Sequence, residues 1–273
     1  MLGLGTSINR GGFVSAGESL LLDEYSGAAV AYSLRKLSSS YSGNCVTVRR
    51  DSDNLDANIG FSGGVLDTSA LASHCGSANG FVVTWFDQSS NSNNATQTTA
   101  ANQPKIYDGT TGVVTENGKP AVEFTGHKSG DDELLFTVVS STTNIAAVAK
   151  TNTTNFQYLV GKSPDGALRT RIHGRWAGGS EGDNNDFQRG GSLFVNGSEV
   201  VGDGASNPYA TSRSLIFANA KSGGTTLDLS IIGGTYNNRH WNGPIQEVIL
   251  FDTDQSSNRT DIEDNINTFY SIY

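Results

Sequence analysis

Basic residues are scarce in this chain of 273 residues. It has 18 lysines and arginines against 27 aspartates and glutamates, which gives a net charge of −9 and a pI near 4.8. Its basic residues cluster only in pairs such as Arg35-Lys36 and Arg49-Arg50. Because nucleic-acid binding needs a basic patch, DNA and RNA are not expected partners. No apolar run approaches the ~18 residues of a membrane span, so membrane insertion is not expected either.

Cysteine and histidine are also rare. Cys45 and Cys75 are the two cysteines, and the opening Met1–Thr6 lacks the basic and then apolar order of a signal peptide. This combination favours two free, buried thiols in a protein made in a cytoplasm without export.

Metal-binding patterns are weak. The four histidines show no zinc spacing, and Glu181, Asp183 and Asp186, with the asparagines between them, lack a spaced calcium loop. A solvated acidic loop is favoured over a Ca²⁺ site, so no metal and no cofactor is expected.

Glycine, by contrast, is abundant at 33 residues, while charged residues make up only 16% of the chain. This is the composition of many short strands joined by turns, and 12 Phe, 9 Tyr and 3 Trp supply core area. We expect one all-β domain, a β-sandwich over residues 25–273, preceded by a glycine-broken arm over residues 1–24.

Local patterns predict individual elements. The predicted strands include residues 28–32, 46–50, 81–86, 121–124, 134–139 and 145–149, with further strands in the second half and a closing strand over 241–251. Asn196-Gly197 predicts a hairpin turn, and Asp67 predicts the N-cap of a helix over 68–74. Leu34, Leu37 and Tyr41 predict a short helical turn. The apolar stripe of Ile262, Ile266, Phe269 and Tyr270 predicts a final helix that packs on the sandwich.

The stretch Gly80–Lys105 carries the most distinctive pattern. An apolar strand runs into Trp85-Phe86-Asp87-Gln88-Ser89-Ser90-Asn91-Ser92-Asn93, followed by a long polar loop. It resembles the catalytic module of the fungal-type arabinofuranosidase B family, in which a strand enters a Tyr-Asp-Gln-Ser-Gly-Asn-Gly-Asn segment. The resemblance extends from about Ala28 to Pro104. Such openings also resemble bacteriophage tail and structural proteins with laminin-G-like or concanavalin-like domains, and the chain is more similar to those. The implied fold is an all-β concanavalin A/laminin-G-like jelly-roll sandwich with a C-terminal helix.

Glycoside hydrolysis requires two carboxylates. In the resembled family, the nucleophile is the Glu of a Gly-Asn-Ala-Glu segment, and the acid/base Asp follows a Gly-Gly pair. The matching positions here are Pro164 and Thr235. Asp165 is a substitute one residue along, but a Pro-Asp-Gly turn accounts for it. Asp87 ends a strand, where carboxylates commonly cap backbone amides. This comparison predicts that the chain is not an enzyme.

Two loops have the residues that glycan binding uses. Arg175 and Trp176 lie in a glycine-flanked loop, and Tyr236, Asn238 and His240 lie in a second. Loop packing or a subunit contact would account for both loops equally well.

These observations lead to one expectation with two alternatives. The expectation is a non-enzymatic phage virion protein of a tail fibre, another tail component or a capsid decoration, assembled in the host cytoplasm. Its partners would be other virion proteins, further copies of itself and a host surface glycan. The alternatives are an arabinofuranosidase-like hydrolase, whose Asp/Glu pair would converge on the Asp87 loop, and an architectural subunit without a ligand.

Overall fold

The computed structural model describes residues 19–126, 132–153, 157–162, 172–173, 192–199, 212–219, 227–234 and 240–273. Its helices are α1 (Leu21–Glu24), α2 (Thr68–Cys75) and α3 (Arg259–Tyr270), with 3₁₀ turns at Ala100–Asn102 and Ser256–Asn258. Its strands are β1 (Ala28–Ser33), β2 (Val46–Arg50), β3 (Asp56–Ile59), β4 (Phe61–Ser62), β5 (Val65–Leu66), β6 (Gly80–Trp85), β7 (Ala95–Thr96), β8 (Lys105–Asp108), β9 (Gly112–Val113), β10 (Thr115–Glu116), β11 (Lys119–Pro120), β12 (Val122–Phe124), β13 (Leu134–Thr142), β14 (Asn144–Ala149), β15 (Tyr158–Gly161), β16 (Ile172–His173), β17 (Leu193–Val195), β18 (Ser198–Glu199), β19 (Ser214–Asn219), β20 (Leu227–Ile232) and β21 (Gly243–Phe251).

Antiparallel pairing arranges most of these strands in two layers. One layer runs β18, β17, β19, β14 and β21, and β21 then pairs with β12 through its first residues and with β1 through its last. The other runs β16, β15, β20, β13, β7, β6, β2 and β3. Strand β8 pairs with both β6 and β12 and so joins the layers. The architecture is a β-sandwich, as the composition predicted.

Two apolar clusters hold these layers. The larger lies between the sheets and includes the fully buried Trp85 and Trp241. The smaller lies on the outer face of the layer containing β21, where Leu21 of α1 and Ile262 and Ile266 of α3 cover it. The final helix therefore packs on the sandwich as its stripe predicted. The proposed division between an arm of residues 1–24 and a domain of residues 25–273 stays a prediction.

A buried charge network ties α3 to the sheet. The Arg35 guanidinium contacts the Glu247 carboxylate of β21, with an Nε to Oε2 distance of 2.8 Å. Arg35 also donates to Asn265 Oδ1 of α3, at 3.0 Å. The Tyr270 hydroxyl, at the end of α3, contacts Glu247 Oε2 at 3.3 Å. The helix is therefore held by polar contacts as well as by its apolar stripe.

Several local predictions are confirmed. The Asp67 carboxylate accepts hydrogen bonds from the amides of Ser69 and Ala70 and so caps α2. Asn196 and Gly197 both have positive φ, at 51° and 75°, which is the conformation of the predicted two-residue hairpin turn. Cys45 and Cys75 are free and buried.

The helical turn predicted around Leu34 to Tyr41 is wrong. Arg35 forms an isolated antiparallel bridge with Val65. The Leu37 amide donates to the side chain of Gln88 at 2.8 Å. Long-range partners thus replace the intrahelical hydrogen bonds that the apolar spacing suggested.

No helix in the described ranges is long and apolar enough to cross a membrane.

Candidate functional site

The Asp87 carboxylate is used by the loop that follows it. It accepts from the amides of Ala31 at 2.8 Å, Ser89 at 2.9 Å and Asn93 at 3.0 Å, and from the Ser89 hydroxyl at 2.7 Å. Its exposed fraction is 2%. Four donors occupy the acceptor sites of one carboxylate, so Asp87 organises backbone and has no capacity left for a substrate. The capping role predicted for it is confirmed.

The glycines that precede the catalytic positions in the resembled family lie at the ends of neighbouring strands. Gly161 ends β15, and Gly233-Gly234 directly follow β20, which pairs with β15 at Val160 and Ile232. The Gly233 amide donates to the Leu159 carbonyl at 2.9 Å. A Cβ on Gly234 would lie 2.3 Å from the Cβ of Tyr158, and both glycines have positive φ. Only glycine fits this close antiparallel contact without a shift of the backbone. Pro164 and Thr235, which follow these glycines, lie outside the described residues.

Five residues from distant parts of the sequence meet at this end of the sandwich. We call Gly126, Asp132, Gln157, Gly233 and His240 the Gly233 cluster. A Cβ on Gly126 would lie 2.4 Å from the His240 carbonyl oxygen, and one on Gly233 would lie 2.8 Å from that of Asp132.

Trp241 and Asn242, which follow His240, make further hydrogen bonds to the Gly233 cluster. The Trp241 amide donates to the Gly233 carbonyl at 2.9 Å. The side chain of Asn242 donates to the Gly126 carbonyl at 3.2 Å, and its amide donates to the side-chain oxygen of Gln157. The main chain of the cluster is therefore held in place by hydrogen bonds.

Asp132 is a buried carboxylate within the Gly233 cluster. Its exposed fraction is 7%, and it accepts a hydrogen bond from the Thr125 amide at 2.6 Å. Thr125 follows β12 directly, so this bond links Asp132 to the end of that strand. The position of the carboxylate is thus fixed by main chain.

A second carboxylate, Glu123, lies two residues before Thr125. Its neighbours in β12, Val122 and Phe124, point into the core, so Glu123 points to the opposite face of the sheet and is half-buried. Asn152 donates from its side chain to Glu123 Oε1 at 2.9 Å. The Asn152 amide in turn donates to the carbonyl of Asn242, which connects Glu123 to the Gly233 cluster.

The protonation of Glu123 is perturbed. Burial raises the pKa of Glu123, and the negative charges of Glu116 and Asp132 raise it further. The Asn152 hydrogen bond and the charge of Lys150 lower it, but the net shift is upward. Lys150 is itself paired with Glu116, with an Nζ to Oε2 distance of 2.9 Å. Glu123 therefore keeps its proton to a higher pH than an exposed glutamate and can donate it.

Four of the five predicted glycan-binding residues lie outside the described part of the chain: Arg175, Trp176, Tyr236 and Asn238. The fifth, His240, is buried, with 4% of its surface exposed, and lies in the Gly233 cluster. Their role in binding a glycan stays a prediction. The acidic loop around Glu181 and Asp183 also lies outside the description. Within the described ranges, no group of three or more His, Cys, Asp or Glu residues could hold a metal ion, and the expectation that no cofactor is bound stays a prediction.

The sequence reasoning missed Glu123 and Asp132. Glu123 had a usable signal, since it is the polar residue of the alternating run Ala121-Val122-Glu123-Phe124 that was correctly predicted as a strand. Asp132 had none, because its contacts are with residues that only the fold brings near.

Comparison with solved structures shows which known proteins share this fold. Two similar structures are GH54 α-L-arabinofuranosidases. One is a Glu-to-Gln mutant soaked with 4-nitrophenyl α-L-arabinofuranoside and another was soaked with a cyclic sulfate inhibitor. Each of these two shares 17% identity over 88% of this chain and 62% of its own, with a TM-score of 0.57. A third, an arabinofuranosidase complexed with arabinofuranosyl-α-1,2-xylobiose, shares 18% identity over 90% of this chain and 64% of its own, with a TM-score of 0.58. At this identity the likeness shows the fold, and the chain spans less than two thirds of these proteins.

Sequence comparison then identifies the family. The model of the α-L-arabinofuranosidase B catalytic family matches residues 25–167, just over half of the chain. The chain belongs to this family. No curated protein is significantly similar to it.

Two expectations from the sequence are therefore wrong. The family match favours the glycoside hydrolase alternative over a virion protein, the solved structures share the fold, and nothing indicates a phage origin. The expectation of a non-enzyme is overturned by the same findings. It rested on Pro164 and Thr235 at two aligned positions, and the absence of a carboxylate there does not prevent other carboxylates from supplying the chemistry.

Proposed function

We propose that this protein is a glycoside hydrolase that releases terminal α-L-arabinofuranosyl residues. The observation that carries the proposal is the match of residues 25–167 to the family's catalytic model. The β-sandwich shared with three arabinofuranosidase structures supports it. We propose further that the sandwich is a jelly roll of the concanavalin A/laminin-G type.

The chemistry needs a proton donor and a second carboxylate. Neither Pro164 nor Thr235 has one, so other residues must supply the pair. We propose Glu123 as the proton donor, because burial raises the pKa of its carboxyl group and the Asn152 side chain holds that group through a hydrogen bond. We propose Asp132 as the second carboxylate, because the amide of Thr125, two residues after Glu123, holds it within the Gly233 cluster and its charge contributes to the raised pKa of Glu123.

In this mechanism Glu123 donates its proton to the leaving-group oxygen as the glycosidic bond breaks. Asp132 stabilises the positive charge that develops on the sugar ring, water then adds to the anomeric carbon, and the ionised Glu123 takes a proton from that water, which restores the acid. The predicted loop residues Arg175, Trp176, Tyr236, Asn238 and His240 are proposed to contact the sugar. Asp165 is the competing candidate for the second carboxylate, although its Pro-Asp-Gly context is that of a turn.

The test is hydrolysis of 4-nitrophenyl α-L-arabinofuranoside by the wild type and by Glu123→Gln, Asp132→Asn and Asp165→Asn. Asp53→Asn is the matched control, because it changes an exposed carboxylate that is paired with Arg50 and lies outside the Gly233 cluster. We expect kcat to fall by about 10²–10⁴-fold in Glu123→Gln and to change little in Asp53→Asn. Circular dichroism checks that each variant is folded.

Leaving-group dependence separates a proton donor from a structural glutamate. An aryl leaving group of low pKa departs without a proton, so Glu123→Gln should lose much less activity on a dinitrophenyl arabinofuranoside than on an alkyl one. An equal loss on both substrates would exclude Glu123 as the donor. A large loss of kcat in Asp165→Asn with none in Asp132→Asn would show that Asp165, and not Asp132, is the second carboxylate. No turnover by the folded wild type on any of these substrates would refute the proposed function.

A further inference from the structure

A cleft in the described part of the chain lies far from the Gly233 cluster. It has a volume of about 360 Å³ and is bordered by the start of β1, the 38–41 segment and the Asp87 loop. Its lining includes Tyr25, Ser26, Ser38, Tyr41, Ser89 and Ser90. Strand β21 begins beside the Gly233 cluster at Gly243 and ends at Phe251, which pairs with Ala28 in the cleft wall. Nine residues of strand separate the two places by roughly 25 Å.

The lining selects for a neutral, hydroxylated ligand. It contains two tyrosines, five serines and one glutamine but no Asp, Glu, Lys, Arg or His. Burial raises the pKa of the Tyr41 hydroxyl to about 12, so this group is uncharged at neutral pH. Tyrosine combines an apolar ring face with a polar tip, which suits the alternating apolar and hydroxyl surfaces of a sugar. The volume is at the small end of ligand pockets, which fits one or two sugar units.

Hydrogen bonds within the protein hold the residues around the cleft in place without a ligand. The Gln88 side chain, 2% exposed, accepts from the Leu37 amide at 2.8 Å and donates to the carbonyls of Ser33 at 3.0 Å and Arg35 at 2.9 Å. This arrangement pins the Asp87 loop against the segment that follows β1.

Two further contacts fix the side chains of the lining. The Ser38 hydroxyl donates to Asp23 Oδ1 at 3.0 Å, and the Tyr41 hydroxyl donates to the Asn44 carbonyl at 2.7 Å. The Tyr41 ring also packs edge-on against Phe61. A site held in this way loses little conformational entropy when a ligand binds.

We propose that this cleft is a second saccharide site, which holds a neutral sugar unit of the polysaccharide whose arabinofuranosyl branches are removed at the Gly233 cluster. The inference rests on the proposed function for the identity of the polysaccharide. A site about 25 Å from the reaction would engage the same chain several sugar units away. It would raise the affinity for polymers without affecting small substrates.

The experiment is affinity electrophoresis of the full chain through gels containing neutral arabinoxylan or arabinan, beside a gel without polysaccharide. Tyr25→Ser removes one ring of the lining, and Ser90→Trp fills the cleft from an exposed position. Tyr273→Ser is the matched control, since Tyr273 is 53% exposed and is not part of the lining. Hydrolysis of 4-nitrophenyl α-L-arabinofuranoside is measured for each protein.

We expect the wild type and Tyr273→Ser to be retarded equally, and both cleft variants to bind about tenfold more weakly. Aryl arabinofuranoside hydrolysis should be the same in all four proteins. Wild-type retardation in both cleft variants would refute the second site, as would no retardation of the wild type. Polymer binding and hydrolysis are measured separately. A wild type that is retarded by the polysaccharide but does not hydrolyse the aryl substrate would refute the hydrolase proposal alone.

Discussion

Replacing Glu247 by glutamine tests whether the Arg35–Glu247 network stabilises the fold. The side chains of Arg35 and Glu247 are 7% and 0% exposed. The carboxylate accepts from Arg35 Nε at 2.8 Å, from Arg35 Nη2 at 3.1 Å and from the Ser33 hydroxyl at 2.7 Å. Burial lowers the pKa of Arg35, but Glu247 and, after it, Tyr270 raise it, and the net shift is upward.

Glu247→Gln keeps the shape of the side chain and removes its charge. Arg35 cannot lose its proton, so its charge would remain buried without a counter-ion. Removing one partner of a buried pair costs about 3–5 kcal/mol, a large part of the 5–15 kcal/mol by which domains are stable. The rings of Phe269 and Tyr270, 5.2 and 5.7 Å from the guanidinium carbon, offset only part of this loss.

Urea unfolding followed by circular dichroism measures the effect as a lower midpoint. The double variant Arg35→Met/Glu247→Leu should recover most of the loss, because an apolar pair leaves no buried charge. Asp53→Asn is the exposed control, since its contact with Arg50 lies at the surface and is screened by water. A free energy of unfolding within about 1 kcal/mol of wild type for Glu247→Gln would refute the reasoning, because it would mean that Arg35 does not depend on this carboxylate.

Three further predictions follow from single residues. Asp67→Ala removes the cap of α2 and should lower the free energy of unfolding by about 1 kcal/mol in the same assay, and an unchanged midpoint would contradict the capping role. The pKa of Glu123 is raised in the folded chain from the ordinary 4.5, so its stabilising contribution is complete below pH 4.5 and is lost as the pH rises through the folded value. As the pH rises from 4.5 through the folded pKa, the wild type should therefore lose stability relative to Glu123→Gln. A constant difference in the free energy of unfolding between the two would contradict the raised pKa. Burial raises the pKa of the Cys75 thiol to about 11 and that of Cys45 as well, so neither should react with iodoacetamide at pH 8 until urea unfolds the chain, which mass spectrometry would detect.

Local signals in the sequence determined many of the elements. Asp67 caps the helix that follows it, Asn196-Gly197 closes a hairpin, and the stripe of Ile262 and Ile266 packs α3 on the sheet. Each of these features depends on residues only a few positions apart, so the sequence shows it directly. The strand of residues 80–85 was recognised in the same way.

The short strands and the segment after β1 were not predicted from the sequence. Strands such as β4, β5 and β9 have two residues each, which is too few to show an alternating pattern, although each pairs with a strand close by in the chain. The segment of Leu34 and Leu37 has helical spacing, but its hydrogen bonds go to Gln246, Gln88 and other distant residues. Long-range hydrogen bonds thus outweigh the spacing of a few apolar side chains.

The sequence by itself also determined the all-β class, and the pattern around Asp87 indicated the arabinofuranosidase B family, although phage structural proteins were judged more similar. It did not determine the candidate site. Asp132 and Gly233 meet, and Glu123 is connected through Asn152 to Asn242, only after β12, β15, β20 and β21 have paired. A carboxylate becomes a proton donor through burial and neighbouring charges, and these depend on which strands lie side by side. Tertiary structure therefore decided which residues form the candidate site, because the pKa of a side chain depends mainly on its surroundings in space.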